Sequence, residues 1–141
     1  VQVGRNDVSR PVYTHVKTQS DVRCFLEING LLLCGENEGF CDLIDLVSLR
    51  NLHSCKLDKV SHIYQLEKIG YSEMAIAAYN GIFFASISVQ KGQKMKMVLS
   101  EETVLKGKFC NKVLHLKKRE ILLVAVWDSP NIYVVSLQTK K

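Results

Sequence analysis

Apolar and polar residues alternate along most of this chain with a period of two, and the alternating runs are short, each broken by Gly, Asn or Asp. Runs of this kind, rich in Val, Ile, Tyr and Phe, predict β-strands, and no window of about 11 residues keeps the 3.6-residue spacing of an amphipathic helix. Three stretches share one layout: an alternating strand, a tighter and more buried one, a short polar turn, and a returning strand.

In the first stretch, residues 22–28 lead into 31–35, the turn Glu36-Asn37-Glu38-Gly39 reverses the chain, and 40–45 returns, with Phe40, Asp42 and Ile44 on one face and Cys41, Leu43 and Asp45 on the other. Residues 51–56 supply a fourth strand. In the second, 61–67 is followed by 74–79, then Asn80-Gly81, a dipeptide that accepts positive φ at both turn positions, then 82–89, with 94–99 as the outer strand. In the third, 112–116 precedes 121–127, the turn Asp128-Ser129-Pro130-Asn131, and 132–137; no fourth strand is legible. Residues 100–106 are expected to hold a helical turn, with Ser100 as N-cap and Glu101 and Glu102 in its first turn.

The starts of the second strands, Leu31, Met74 and Ile121, lie 43 and 47 residues apart, close to the ~40–45 of one four-stranded blade per repeat. Residues 31–46, Leu-Leu-Leu-Cys-Gly-Glu-Asn-Glu-Gly-Phe-Cys-Asp-Leu-Ile-Asp-Leu, resemble the inner half of a WD-repeat blade: buried strand, small residue, acidic turn with Gly, then a strand ending in Asp. Residues 76–81 and 123–128 follow the same scheme, without the closing Trp-Asp and opening Gly-His of that family; Trp127-Asp128 falls before the turn. The likeness covers about residues 12–141. It implies an all-β β-propeller fragment or half-ring of about three four-stranded antiparallel blades, at about 21–57, 60–99 and 108–141. It also implies a protein-interaction platform whose partners meet the top face or rim loops. Other propeller families with degenerate repeats, such as the citron-homology type, fit the same layout.

A blade buries both of its faces against neighbours, which accounts for the nearly continuous apolar middle strands and for Ala75, Ala77, Ala78, Ala85 and Ala125 near the crowded centre. Three blades leave two sheet faces uncovered. Residues 12–17 alternate like an outer strand without a blade of its own, and are expected to complete a three-stranded C-terminal blade in the same ring or in a partner copy. Two copies would then close a ring of about six blades.

Of the whole chain, 47% is hydrophobic, with 2 prolines and 8 glycines, which argues for one folded domain and against disorder. No apolar run approaches the roughly 20 residues that span a bilayer, and no signal peptide is legible. Five cysteines, Cys24, Cys34, Cys41, Cys55 and Cys110, form an odd set with no CxxC. They predict small buried hydrophobes in a reducing, intracellular compartment, cytoplasmic rather than nuclear. Cys34 and Cys41 flank a turn and are placed to face each other across a hairpin. Charge is uneven: residues 1–90 hold 8 Lys/Arg against 10 Asp/Glu, and residues 91–141 hold 11 against 4.

The four histidines, His15, His53, His62 and His115, are scattered without metal spacing, and no nucleophile elbow or phosphate-binding glycine loop occurs. Glu36 and Glu38 sit at a hairpin tip and lack the enclosure that acid–base catalysis needs. No enzyme, cofactor or metal is expected. The expected function is a non-catalytic scaffold that binds protein partners through loop tips carrying Glu36, Glu38, Tyr71, Tyr79 and Trp127. Phe83 and Trp127 also read as core filling. The alternative is a basic module for nucleic acid or an anionic surface, using Lys117, Lys118 and Arg119 in the Lys-rich C-terminal third.

Overall fold

The computed structural model describes residues 11–89 and 95–137. Eleven strands among them form three antiparallel sheets in chain order. The first contains β1 (Val22–Ile28), β2 (Leu31–Glu36), β3 (Phe40–Asp45) and β4 (Arg50–Lys56). The second contains β5 (Ile63–Lys68), β6 (Glu73–Ala78), β7 (Gly81–Val89) and β8 (Met95–Val104). The third has three strands: β9 (Cys110–Leu116), β10 (Ile121–Val126) and β11 (Ile132–Ser136). Each sheet is a simple meander, and the second runs on to Val104, beyond the expected end at 99; residues 138–141 of the third stretch lie outside the described set.

The sheets stack face to face around their first strands, β1 packing on β5 and β5 on β9. β4 and β8 are therefore outermost. Between the first two sheets lies a core of Leu33, Cys41, Leu43, Ile63, Leu66, Met74, Ile76 and Phe83; between the last two lie Ala75, Ala77, Ile82, Phe84, Cys110, Val113, Leu122 and Val124. β6 contributes to both cores because alternate residues point to opposite faces. Its buried alanines allow the flanking sheets to approach. Side chains of β5 also serve the backbone of β9: Val113 N–H donates to Gln65 Oε1 at 2.8 Å and His115 N–H to Glu67 Oε2 at 2.9 Å.

One backbone hydrogen bond recurs in all three sheets. Just past the second strand, Asn37, Tyr79 and Trp127 each donate an N–H to a residue just before the first strand or, in the second sheet, just before β5: Asp21 at 3.0 Å, His62 at 2.9 Å and Phe109 at 2.8 Å. The repeat is thus visible in hydrogen bonding as well as in strand order.

Residues 12–17 pair with no strand of this chain among the described residues, and Val12 and Tyr13 are each 95% exposed. Three local expectations are corrected. Residues 100–106 form no helical turn, since β8 continues to Val104. A register shift sets Phe83 against Thr103 and Ala85 against Leu99, so Ser100, Glu101 and Glu102 bulge opposite Phe84. Ser100 Oγ accepts the Glu102 N–H at 3.2 Å inside that bulge rather than capping a helix. The β6–β7 reversal uses Tyr79-Asn80, with Ala78 opposite Gly81, and only Gly81 of the Asn-Gly pair has positive φ, at 140°. Finally, Cys34 lies opposite Asp42, and Cys41 lies opposite Gly35 on one side and Cys55 on the other.

Candidate functional site

Antiparallel meanders place alternate turns at opposite ends of a stack. The β2–β3, β6–β7 and β10–β11 turns and the β4–β5 and β8–β9 connections share one end; the β1–β2, β5–β6 and β9–β10 turns share the other. This division separates the sequence-predicted contact residues into two groups.

At the first end the recurring backbone bonds bring rings from separate strands into a row. Phe109, at the entry to β9, lies 4.6 Å from Tyr64 of β5, 4.9 Å from Tyr79 of the β6–β7 turn and 5.9 Å from Trp127 past β10, centroid to centroid. His62 meets Tyr79 edge-on at 6.0 Å, and the Arg23 guanidinium sits 4.8 Å above the Tyr64 ring. These separations fall within the favourable range for aromatic pairs and for cations over rings. The rings come from the second and third sheets, and Arg23 joins them from β1 of the first. The row stays open to solvent: Trp127 is 64% and Tyr79 51% exposed, so Trp127 is not core filling, whereas Phe83 is.

The loops under the row are braced. Asn80 Oδ1 accepts the Ser61 N–H at 3.0 Å, Asn80 Nδ2 donates to Lys59 O at 2.8 Å, and Gly107 N–H donates to Asn80 O at 2.9 Å. Exposed Glu38 joins the same end through its N–H, which donates to His62 Nδ1 at 3.0 Å. Next to Trp127, hydrogen bonds with Ser129 and Asn131 and the charge of Lys108 lower the Tyr133 hydroxyl pKa; Lys108 Nζ lies 5.7 Å from that ring centroid.

Glu36 is corrected: it is fully buried, and so is Asp42, on the outer face of the first sheet. Glu36 Oε1 accepts the Ser20 N–H at 3.0 Å, and Asp42 Oδ2 accepts the Gln19 N–H at 2.8 Å while Oδ1 takes the Ser54 hydroxyl. Glu36 Oε2 meets no donor. Burial, reinforced by the neighbouring Asp42, pushes Glu36 up to about 8. Burial also pushes Asp42 upward, but hydrogen bonds from Glu36, Ser54 and the Gln19 backbone outweigh it and leave Asp42 below the usual carboxylate range. The interaction between the two carboxyls drives their values apart, Glu36 upward and Asp42 downward. A split pair of carboxyls resembles an acid–base couple; here both clasp the approach segment at residues 19–20 and neither reaches solvent.

At the opposite end, Tyr71 is 93% exposed in the β5–β6 connection, and Lys117, Lys118 and Arg119 form a single exposed turn between β9 and β10 that closes on Glu120 at φ 50°. Lys106 and Lys108 fall at the aromatic end, and Lys112 is exposed on β9. Folding thus disperses the basic charge of the C-terminal third. Arg23, Tyr64 and Phe109 were not singled out by sequence reasoning, because nothing in a one-dimensional pattern separates a ring before a strand from one inside it.

No protein-family model matches the chain, and no curated protein matches it by sequence. Solved structures do. The β-propeller domain of Cps50 (Swd1) from Myceliophteria thermophila superposes with a TM-score of 0.63 at 15% identity, over 80% of this chain and 37% of that one. The extracellular domain of a protein assigned as a hybrid two-component system from B. thetaiotaomicron gives 0.57 at 17% identity, over 86% and 16%. The computationally designed Ika4 protein gives 0.50 at 11% identity, over 89% of this chain and 99% of that one. The likeness is one of fold: three consecutive antiparallel sheets arranged as in a propeller. The chain spans about a third of the Swd1 domain and about a sixth of the B. thetaiotaomicron domain.

Proposed function

We propose that this chain is a non-catalytic protein-binding module of WD-repeat propeller type, working in a reducing intracellular compartment, and that its partner seats on the aromatic end. The observation that supports this reading is the row Tyr64, Phe109, Tyr79 and Trp127, half-buried at the first two and exposed at the last two, assembled from two sheets on braced loops. Large rigid rings of this kind are the side chains that anchor protein interfaces, because they bury much apolar area with little loss of rotamer freedom.

Trp127 is the chain's one tryptophan, so its fluorescence reports directly on the site. Peptides selected from a displayed library against the whole protein are expected to shift that emission. Phe109→Ala and Trp127→Ala are each expected to weaken binding by about tenfold or more, the usual scale for an aromatic anchor. Triple charge reversal at Lys117, Lys118 and Arg119 should leave it unchanged. Peptides that bind both alanine variants as well as the parent would remove the aromatic end from consideration. Retention of nucleic acid alone, steeply weakened by salt and lost on the charge reversal, would establish the basic-module alternative instead.

A second reading concerns self-association and rests on the third sheet. Its outward face presents Leu114, Leu123 and Val134 in one register row, with Ile132 beside them; Ile132 is 73%, Val134 62% and Leu114 52% exposed. A second copy completing the ring would cover this face, with residues 12–17 adding a strand beside β11.

A further inference from the structure

Among the five thiols, one pair is placed for chemistry that packing alone does not call for. Cys41 on β3 and Cys55 on β4 are direct register partners, with side chains on the same face of the sheet. Cys41 is fully buried while Cys55 is partly open. The sulfur of Cys55 also contacts Met97 Sδ at 3.8 Å. Met97 and the two residues after Cys55, Lys56 and Leu57, line a groove of about 630 Å³, so Cys55 lies beside it.

We propose that Cys41 and Cys55 form a reversible cross-strand disulfide, with Cys55 the thiol oxidised by a hydroperoxide and Cys41 the thiol that resolves it. The Cys55 thiolate attacks the peroxide O–O bond, giving Cys55 sulfenic acid and releasing the other oxygen as water or an alcohol. Cys41 then attacks the sulfenic sulfur, the S–O bond breaks, and a second water leaves as the S–S bond forms. Two equivalents of a small thiol reverse the link and leave as their own disulfide.

The neighbours support this division of roles. The hydrogen bond that Cys41 donates to Cys55 lowers the Cys55 thiol below its ordinary value and raises that of Cys41. Burial raises the other three: Cys24 and Cys110 to about 11 and Cys34 to about 12. Cys24 lies in the same cross-strand row, but Gly35 stands between it and Cys41. Two strand spacings, about 9.5 Å, exceed the roughly 7 Å beyond which cysteines cannot be bridged. Cys34 is on the opposite face.

Directly opposed residues carry Cβ atoms about 4.5–5.5 Å apart, whereas a disulfide needs about 3.5–4.5 Å. Closing the bond therefore draws β4 inward. β4 can move: it is the outermost strand of its sheet and already carries a register shift at Leu43/Ile44. A link made under such tension is easily reduced, which suits a reversible clamp on an edge strand and not a permanent staple.

The test treats the whole folded protein with hydrogen peroxide, blocks remaining thiols with an alkylating agent after unfolding, and maps the peptides. The expected result is one linked pair, Cys41 with Cys55, lighter by two hydrogens, with Cys24, Cys34 and Cys110 alkylated, and full reversal by glutathione. Cys41→Ser should halt the reaction at a Cys55 sulfenic acid trapped by dimedone. Before oxidation, Cys55 in the native parent should alkylate at least tenfold faster than Cys110, a readout that needs no variant. Equal rates, a different linked pair in greater yield, or no link under peroxide would each overturn the proposal.

Discussion

At the residue scale the Glu36–Asp42 clasp ties stability to pH. Glu36 is raised to about 8 in the fold, against an ordinary glutamate value of about 4.3 in the unfolded chain. Between those values the folded state holds a proton that the unfolded state has released, so stability falls as pH rises through the window and the contribution is gone above about pH 8. Asp42 acts in the opposite sense on the acid side: its lowered value contributes stability present above the unfolded carboxylate range and lost as pH falls. The urea midpoint of the parent is expected to decline from pH 5 to pH 8, and Glu36→Gln, which keeps a donor toward Asp42, should flatten that decline. A parent midpoint constant across this range would mean that the fold does not raise Glu36. The sequence placed both carboxylates near a turn, and alternation assigned Asp42 to the face of Phe40 and Ile44. What it lacked was the segment that buries them. Gln19 and Ser20 carry no apolar pattern, so their backbone donors leave no mark in the residue order.

The strands themselves were well marked, because each buries one face or both and period-two alternation is the direct imprint of that burial. β1 and β3 occur at the bounds their alternation indicates, and the others differ by a few residues at their ends. The turns were less legible. A bulge at 100–102 and a helical turn both favour Ser followed by acidic residues, and only the partner strand decides between them. Similarly, Asn-Gly locates a reversal without fixing which pair occupies its centre. Glycines inside the turns allow a sharper test. Gly39 has φ +80°, and a Cβ there would stand 2.4 Å from Val60 O and 2.8 Å from Leu57 O, both rigid backbone atoms; Gly30 has φ +82° with open space around it. Gly30→Ala should therefore cost only the backbone strain, about 1 kcal/mol, whereas Gly39→Ala adds a collision and should cost about 2–4 kcal/mol. Thermal unfolding of the two variants checks the ranking; equal losses would mean that the β4–β5 connection yields freely around Gly39.

For the whole molecule the determining feature is that propeller sheets are two-faced: β6 supplies cores on both sides, while the third sheet is packed on one side among the described residues. The contrast is chemical as well as geometric. Cys110, Val113, Leu122 and Val124 are buried on its inner face, yet Leu114, Leu123, Ile132 and Val134 are equally apolar on its outer one. A face meant for water would carry polar residues at those alternate positions. A contiguous exposed apolar patch spanning three strands points to a mate, and a sheet of the same kind presents the complementary flat surface. Under the ring-completing reading, the parent sediments at twice the chain mass at micromolar concentration. Replacing both Ile132 and Val134 by Lys should then shift it to the monomer, with the fold and the Trp127-reported peptide binding retained, since those residues lie outside the aromatic row. A parent that sediments as a monomer, unchanged by the double substitution, would assign this face to a partner other than a second copy and leave the aromatic end unaffected.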